Sequence, residues 1–198
     1  TRMPNLDTRA IHDGEPDPRI AGAVSLPIFQ TATYTDEGPD APVRYIRYNN
    51  TPNHEALHQK LASLESTDDA LVTASGMAAI STTLLGLLNA GDHLVAPRGL
   101  YGGTLDFFDD LLPRFDVGHS FLPANPDTWE DALEPSTTLL YAESITNPLL
   151  DVPDLKAMAE FADAHGLVSV IDSTFASPVN LRPAELGFDV VLHSGTKY

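Results

Sequence analysis

The sequence predicts an α/β domain built on a mostly parallel sheet between helices, and three observations carry that expectation. From Pro52 onward, segments with apolar residues at helical spacing alternate with short apolar runs. The short runs are continuously apolar instead of alternating, as in strands covered on both faces. The length, 198 residues with 42% hydrophobic content, is enough for one sizeable core.

Residues 1 to about 50 are rich in Pro, Gly and Asp, hold no sustained period, and read as an arm. Helical spacing of Leu57, Leu61 and Leu64 then predicts an amphipathic helix over 52–65 with those leucines inward and Pro52 at its start. DALVTA (69–74) reads as a buried strand. A helix opens at Ser75-Gly76 and stops at Gly91, and HLVAP (93–97) is the next strand. Beyond a Gly102-Gly103 turn, a helix runs through FFDDLL and ends at Pro113. FDVGHSFL (115–122) is a strand, DTWEDAL (127–133) a helix and TLLYAES (138–144) a strand. DLKAMAEFADAHG (154–166) is a helix, and LVSVIDS (167–173) and DVVLHS (189–194) are strands.

The charge balance restricts partners. Asp and Glu number 28 against 11 Lys and Arg, a net charge of −17 that repels nucleic acid and anionic membranes. No apolar run approaches the roughly 18 residues of a membrane span, and the first residues lack the apolar region of an export signal. Without cysteine there are no disulfides or thiolate metal sites, and the expected address is cytoplasmic. So acidic and lysine-poor a surface suits a cytoplasm of high salt, and a melting temperature that rises with salt is the expected sign.

In open parallel sheets, ligands lie beyond the carboxyl ends of the strands. Glu143 ends TLLYAES, Asp172 ends LVSVID, and Ser194, Thr196 and Lys197 follow the last strand, so all belong on one rim. Ser75-Gly76-Met77 joins a strand to a helix, where backbone N–H groups can meet an anion such as phosphate. Lys197, one of only three lysines, can hold an aldehyde cofactor as a Schiff base. Asp172 can keep a pyridine nitrogen protonated. Each residue alone has a plainer reading, as a turn, a helix start or a solvated terminus. One ligand in one crevice accounts for all of them.

His54-Glu55-Ala56-Leu57-His58 fits H-E-x-x-H and raises a zinc hydrolase as a distant alternative. Leu61 and Leu64 break the metzincin continuation, and Glu65, eleven residues from His54, is roughly 16 Å away along a helix. No metal is therefore expected. Glycine-rich dinucleotide, P-loop and G-x-S-x-G signatures are missing.

Seven runs, in order, are TRAIHDG, GAVSLPIFQTATY, SGMAAI, LYGGT, ESITNP, DSTFASP and HSGTKY. Together they resemble the Cys/Met-metabolism family of pyridoxal-phosphate enzymes, the cystathionine γ-lyases, β-lyases and γ-synthases. The resemblance implies the type I PLP-dependent transferase (aspartate aminotransferase-like) fold, with residues 51–198 as the large-domain part. It implies pyridoxal 5'-phosphate as cofactor, Lys197 carrying it, and Asp172 on its pyridine nitrogen. Gly76, Met77, Ser194 and Thr196 are implied at the phosphate, Tyr101 stacks on the ring and assists proton transfer, Asn147 approaches the ring hydroxyl, and Thr174 also binds.

Tyr45 and Arg47 match the family's Y-x-R element, which reaches the phosphate of a neighbouring subunit, so a homo-oligomer is implied, at least a dimer and usually a tetramer. The implied activity is trans-sulfuration: C–S cleavage of cystathionine or a related sulfur amino acid by γ- or β-elimination. The alternative is γ-replacement, by a cystathionine γ-synthase or O-acetylhomoserine sulfhydrylase. Departures are Asn50-Thr51-Pro52-Asn53 after the Y-x-R element, Ser173 beside Asp172, and Ala74 before Ser75. The family's chains are longer. The rest of the large domain, the C-terminal small domain and the arginine that grips the substrate carboxylate are expected to be missing, which leaves a non-catalytic fragment as a further alternative.

Overall fold

A computed structural model describes residues 5–197. By compactness they form two units, one running to Val72 and the other from Thr73.

In the first unit a helix that no period announced, α1 (Leu6–His12), is capped by Asn5, whose Oδ1 accepts the Thr8 N–H at 2.9 Å. Helix α2 (Pro52–Glu65) starts at its proline as expected. Its buried face is not the expected one: His58, Ala62 and Glu65 are buried, and Leu57 is 44% exposed. Polar contacts with α1 decide the orientation. Buried Arg9 donates to Ser63 O and Ser66 Oγ, and Lys60 Nζ donates to Ala10 O and Ile11 O at 3.0 and 3.1 Å. The H-E-x-x-H pair is occupied structurally. His54 Nδ1 bonds Thr51 Oγ1 at 2.7 Å, and burial, with His54 second, lowers the pKa of His58. Among the described residues no group of three His, Cys, Asp or Glu could hold a metal.

DALVTA is not a strand. It has no ladder partner among the described residues, and Leu71 is 64% exposed. Apolar content predicted the strand, but a strand exists only where a neighbour supplies the ladder bonds.

The second unit holds five parallel strands: β1 (His93–Ala96), β2 (Gly118–Phe121), β3 (Thr137–Glu143), β4 (Val168–Asp172) and β5 (Val190–Leu192). Their order is β2-β1-β3-β4-β5, so the chain reverses direction of travel across the sheet between β2 and β3. Alternation along each strand feeds two cores. Leu94, Leu139, Tyr141 and Val170 face helices α3 (Gly76–Leu87) and α4 (Gly102–Asp106) with Ile80, Leu84 and Phe108. Val95, Leu140, Ala142 and Ile171 face α5 (Leu155–Ala164) with Met158 and Ala162. Double coverage is why these strands read as continuous apolar runs.

Several boundaries move. Gly102 and Gly103 open α4 instead of preceding it, and the chain then widens into a π turn (Phe107–Leu111) and tightens into a 3-10 turn (Leu112–Phe115) containing Pro113. Proline has no N–H for an uninterrupted helix, so it sits in the first positions of a new turn. DTWEDAL lies in a 3-10 turn (Pro126–Ala132), not an α-helix. The strand expected over 115–122 is shortened to β2 because Asp116 takes a left-handed conformation and its carbonyl accepts the Gly91 N–H at 2.6 Å. Between β4 and β5 lie α6 (Ser177–Asn180) and a 3-10 turn (Pro183–Leu186), neither of them expected. No described helix is long and apolar enough to cross a membrane.

His93 ties three strands at the far end of the sheet, with Nδ1 2.8 Å from Thr137 Oγ1 and Nε2 2.9 Å from Ser120 Oγ. Burial lowers its pKa from 6.5. A base depressed in the folded state contributes stability that is present above its unfolded value and lost as pH falls through the folded one. The stability difference between wild type and His93→Asn is therefore expected to shrink below pH 6.5. Melting curves of both proteins on either side of that value check it, and a constant difference would contradict it.

Candidate functional site

The carboxyl ends of β1, β3, β4 and β5 open onto one cavity of about 270 Å³. Such an end of an open sheet, beside a reversal in strand order, is where ligands bind in α/β folds. Gly76, Met77, Tyr101, Asn147, Asp172, Thr174, Ser194, Thr196 and Lys197 all line it, brought together from positions far apart in the sequence. Tyr45 and Arg47 belong to the first unit, where the Arg47 guanidinium stands 5.6 Å from the Tyr45 ring centroid.

Each wall follows from its element. Ser75 caps α3, with its Oγ accepting the Ala78 N–H at 3.0 Å. The first-turn amides of Gly76 and Met77 are among those a helix cannot satisfy internally. Gly76 is required by close approach: a Cβ there would lie 2.6 Å from Ser194 Cβ and 2.8 Å from its Oγ. Opposite, Ser194 Oγ and Thr196 Oγ1 are 2.8 Å apart, and the Ser194 N–H donates to Thr174 Oγ1 at 2.8 Å. Lys197 Nζ donates to Thr196 Oγ1 at 3.1 Å, and its backbone N–H closes a turn onto Ser194 O.

Asp172 ends β4 on the face toward α3 and α4, and its Oδ1 accepts the Thr174 N–H at 2.9 Å. Tyr101 precedes α4 with its ring against Gly103, where a Cβ would stand 2.7 Å from Tyr101 Cε1 and 3.3 Å from Met77 Sδ.

Two features go beyond the expected residue set. Ile80, Ile145 and Phe175 give the cavity apolar walls, which no chemical motif announces. Glu143, placed on the rim by its strand but given no part, is 4% exposed and accepts the Tyr101 N–H at 2.6 Å. Burial first, and then the Asp172 carboxylate, push its pKa up to about 7 against the pull of that N–H.

The donor set suits a phosphorylated pyridine aldehyde. Paired hydroxyls and first-turn amides meet where Gly76 leaves room for no methyl, two acids, Glu143 and Asp172, end the central strands, and one amine stands beside the hydroxyls.

A family profile described as Cys/Met metabolism PLP-dependent enzyme matches residues 7–198. A probable cystathionine γ-synthase of Herpetosiphon aurantiacus is 43% identical over 194 residues, covering 96% of this chain and 60% of its own length. A cystathionine β-lyase of Lactococcus lactis subsp. cremoris is 37% identical, covering 99% and 52%. The crystal structure of cystathionine γ-lyase from Lactobacillus plantarum, complexed with L-serine, matches with a TM-score of 0.89 at 36% identity, covering 96% of this chain and 50% of that one. The chain thus spans between half and three fifths of the length of these proteins. The expected fold class, the large-domain part of the type I PLP-dependent fold, stands. A match over nearly all its residues, joined to this cavity, places the chain in the Cys/Met metabolism family of PLP-dependent enzymes.

Proposed function

We propose that this chain is the cofactor-binding part of a trans-sulfuration enzyme that cleaves a C–S bond of cystathionine or a related sulfur amino acid by γ- or β-elimination. The observation that carries the reading is the convergence of Lys197, Asp172, Ser194, Thr196 and the start of α3 on one cavity. Pyridoxal 5'-phosphate, when bound, supplies an electron sink for the negative charge left when an α-proton is removed. The chain's own residues hold and orient. Ser194 and Thr196 hydroxyls with the Gly76 and Met77 amides take the phosphate, Asp172 the pyridine nitrogen, and Asn147 the ring hydroxyl, with Thr174 fixing Asp172 and Ser194. The Tyr101 ring covers the cavity, and the Lys197 amine binds the aldehyde and later carries protons as general acid and base.

Residues 1–50 serve as an arm to a neighbouring subunit through Tyr45 and Arg47, residues 51–198 as the PLP-binding large domain, and the whole works as a cytoplasmic homo-oligomer, a dimer at least and a tetramer by family habit. Arg47 supplies a fixed cation for phosphate in a strongly acidic chain. The second reading, γ-replacement, is favoured by the 43% identical relative named a probable cystathionine γ-synthase. Assaying the full-length protein for cysteine or homocysteine release from cystathionine, against condensation of an activated homoserine with a thiol, separates them. Neither activity in a protein that binds the cofactor would overturn both.

Gly76→Ala is expected to weaken pyridoxal phosphate binding by about 10-fold or more while the fold persists, because its methyl displaces Ser194, not a flexible side-chain tip. Titration of the cofactor, with far-ultraviolet dichroism as the control, checks this. Unchanged affinity would show that the phosphate sits elsewhere.

A further inference from the structure

Glu143 has a more specific part to play than lining a wall. It ends β3 in register with Asp172 of β4, and alternation puts both carboxyl groups on the face toward α3 and α4, one strand spacing apart. Its Oε1 takes the Tyr101 N–H at 2.6 Å, a contact 42 residues apart in sequence.

That N–H is the anchor of a turn. Thr104 N and Leu105 N both donate to Tyr101 O, at 2.9 and 3.0 Å, so the start of α4 hangs from the residue whose N–H Glu143 holds. Tyr101 is 44% exposed, lines the cavity, and rests its ring against Gly103.

A buried carboxyl group beside a second carboxylate is a costly way to satisfy one amide, since a neutral side chain accepts the same bond without the repulsion. Such groups concentrate where proton state matters to function. Glu143 is faced by Asp172 from β4, by Tyr141 from its own strand and by Tyr101 from the loop before α4, and it shares the cavity with Lys197. Burial, then Asp172 and Glu143, drive the Tyr141 phenol well above its ordinary range, so Tyr141 does not compete for the proton near neutrality.

We propose that Glu143 is a positioning residue, which holds the Tyr101 peptide and so the Tyr101 ring over the cavity, and whose proton state sets how tightly it holds. Ionised, it is the stronger acceptor for the amide; protonated, it relaxes the turn at 101–104. The hold on the amide stands independently, while the consequence for cofactor and substrate rests on the proposed function.

The test uses the full-length protein without added cofactor, labelled with ¹⁵N-tyrosine, the Tyr101 signal being assigned by its loss in Tyr101→Phe. Its amide resonance is expected to move through one inflection near pH 7 and to lose that inflection in Glu143→Gln. An inflection that survives Glu143→Gln, or none in the wild type, would overturn the proposal. Glu143→Ala is expected to raise the pyridoxal phosphate dissociation constant by about 10-fold, and Glu143→Gln, which keeps an acceptor, by no more than about 3-fold but with the pH dependence of binding flattened. Equal affinity in all three proteins would also overturn it, and Glu143→Gln alone decides should the alanine variant not fold. If the wild type binds no pyridoxal phosphate, the proposed function fails, and the pH dependence of the Tyr101 amide resonance still decides the role of Glu143.

Discussion

Replacing Lys197 with alanine is expected to remove the visible absorption band that pyridoxal 5'-phosphate gains on binding, and to lower turnover by about 10²–10⁴-fold from the loss of general acid–base action alone. The expectation follows from placement. Lys197 Nζ is 3.1 Å from Thr196 Oγ1, inside the group of hydroxyls that faces the start of α3, so a phosphate held there brings a tethered aldehyde to the amine. Lys60 donates to Ala10 O and Ile11 O, and Lys156 pairs on the surface with Glu160, so neither duplicates this geometry. Lys197→Arg separates charge from nucleophilicity: it keeps the cation but has no amine able to bond the aldehyde, and should lose the band as well. Phosphate affinity should survive in both variants, because its proposed donors are the hydroxyls and amides.

Asp172→Asn is expected to cost about 10²–10³-fold in turnover with a smaller loss of cofactor affinity. Asparagine keeps an oxygen for the Thr174 N–H, now 2.9 Å from Asp172 Oδ1, so the turn after β4 should persist and the change falls on charge alone. Without the Asp172 carboxylate the proposed partner of a protonated pyridine nitrogen is lost, and the electron sink would weaken. The substitution has a second consequence. The Asp172 charge is one of the causes that raise the Glu143 pKa to about 7, so that pKa should fall in Asp172→Asn, and the pH of the inflection in the Tyr101 amide resonance should fall with it. Kinetics on the variant, with pyridoxal phosphate titration, check the first part. Turnover equal to wild type would show that Asp172 does not touch the ring.

Much of the sheet was legible because each strand is buried on both faces, and burial writes itself into composition. TLLYAES and LVSVIDS read as strands because Leu139, Tyr141 and Val170 serve one core and Leu140, Ala142 and Ile171 the other. Strand ends could be read too, since polar residues mark where apolar runs stop, and they place Asp172 and Lys197 on one rim. DALVTA failed for the opposite reason: its apolar content is real, but being a strand is a property of a pair of segments.

Helix α2 failed on orientation because Arg9 and Lys60, through hydrogen bonds to backbone carbonyls, outweighed the leucine period. No spacing rule encodes bonds between residues some 50 positions apart. The same limit hid Glu143. Its rim position was visible, but its bond to the Tyr101 amide joins the end of β3 to the loop before α4, which only the fold brings together.

The most direct test of the account adds pyridoxal 5'-phosphate to the full-length protein, reduces it with borohydride and maps the modified lysine by peptide mass spectrometry. The phosphopyridoxyl group is expected on Lys197, the lysine beside Thr196 and Ser194. Stoichiometric modification of Lys60, Lys156 or any other lysine, with Lys197 left free, would contradict it.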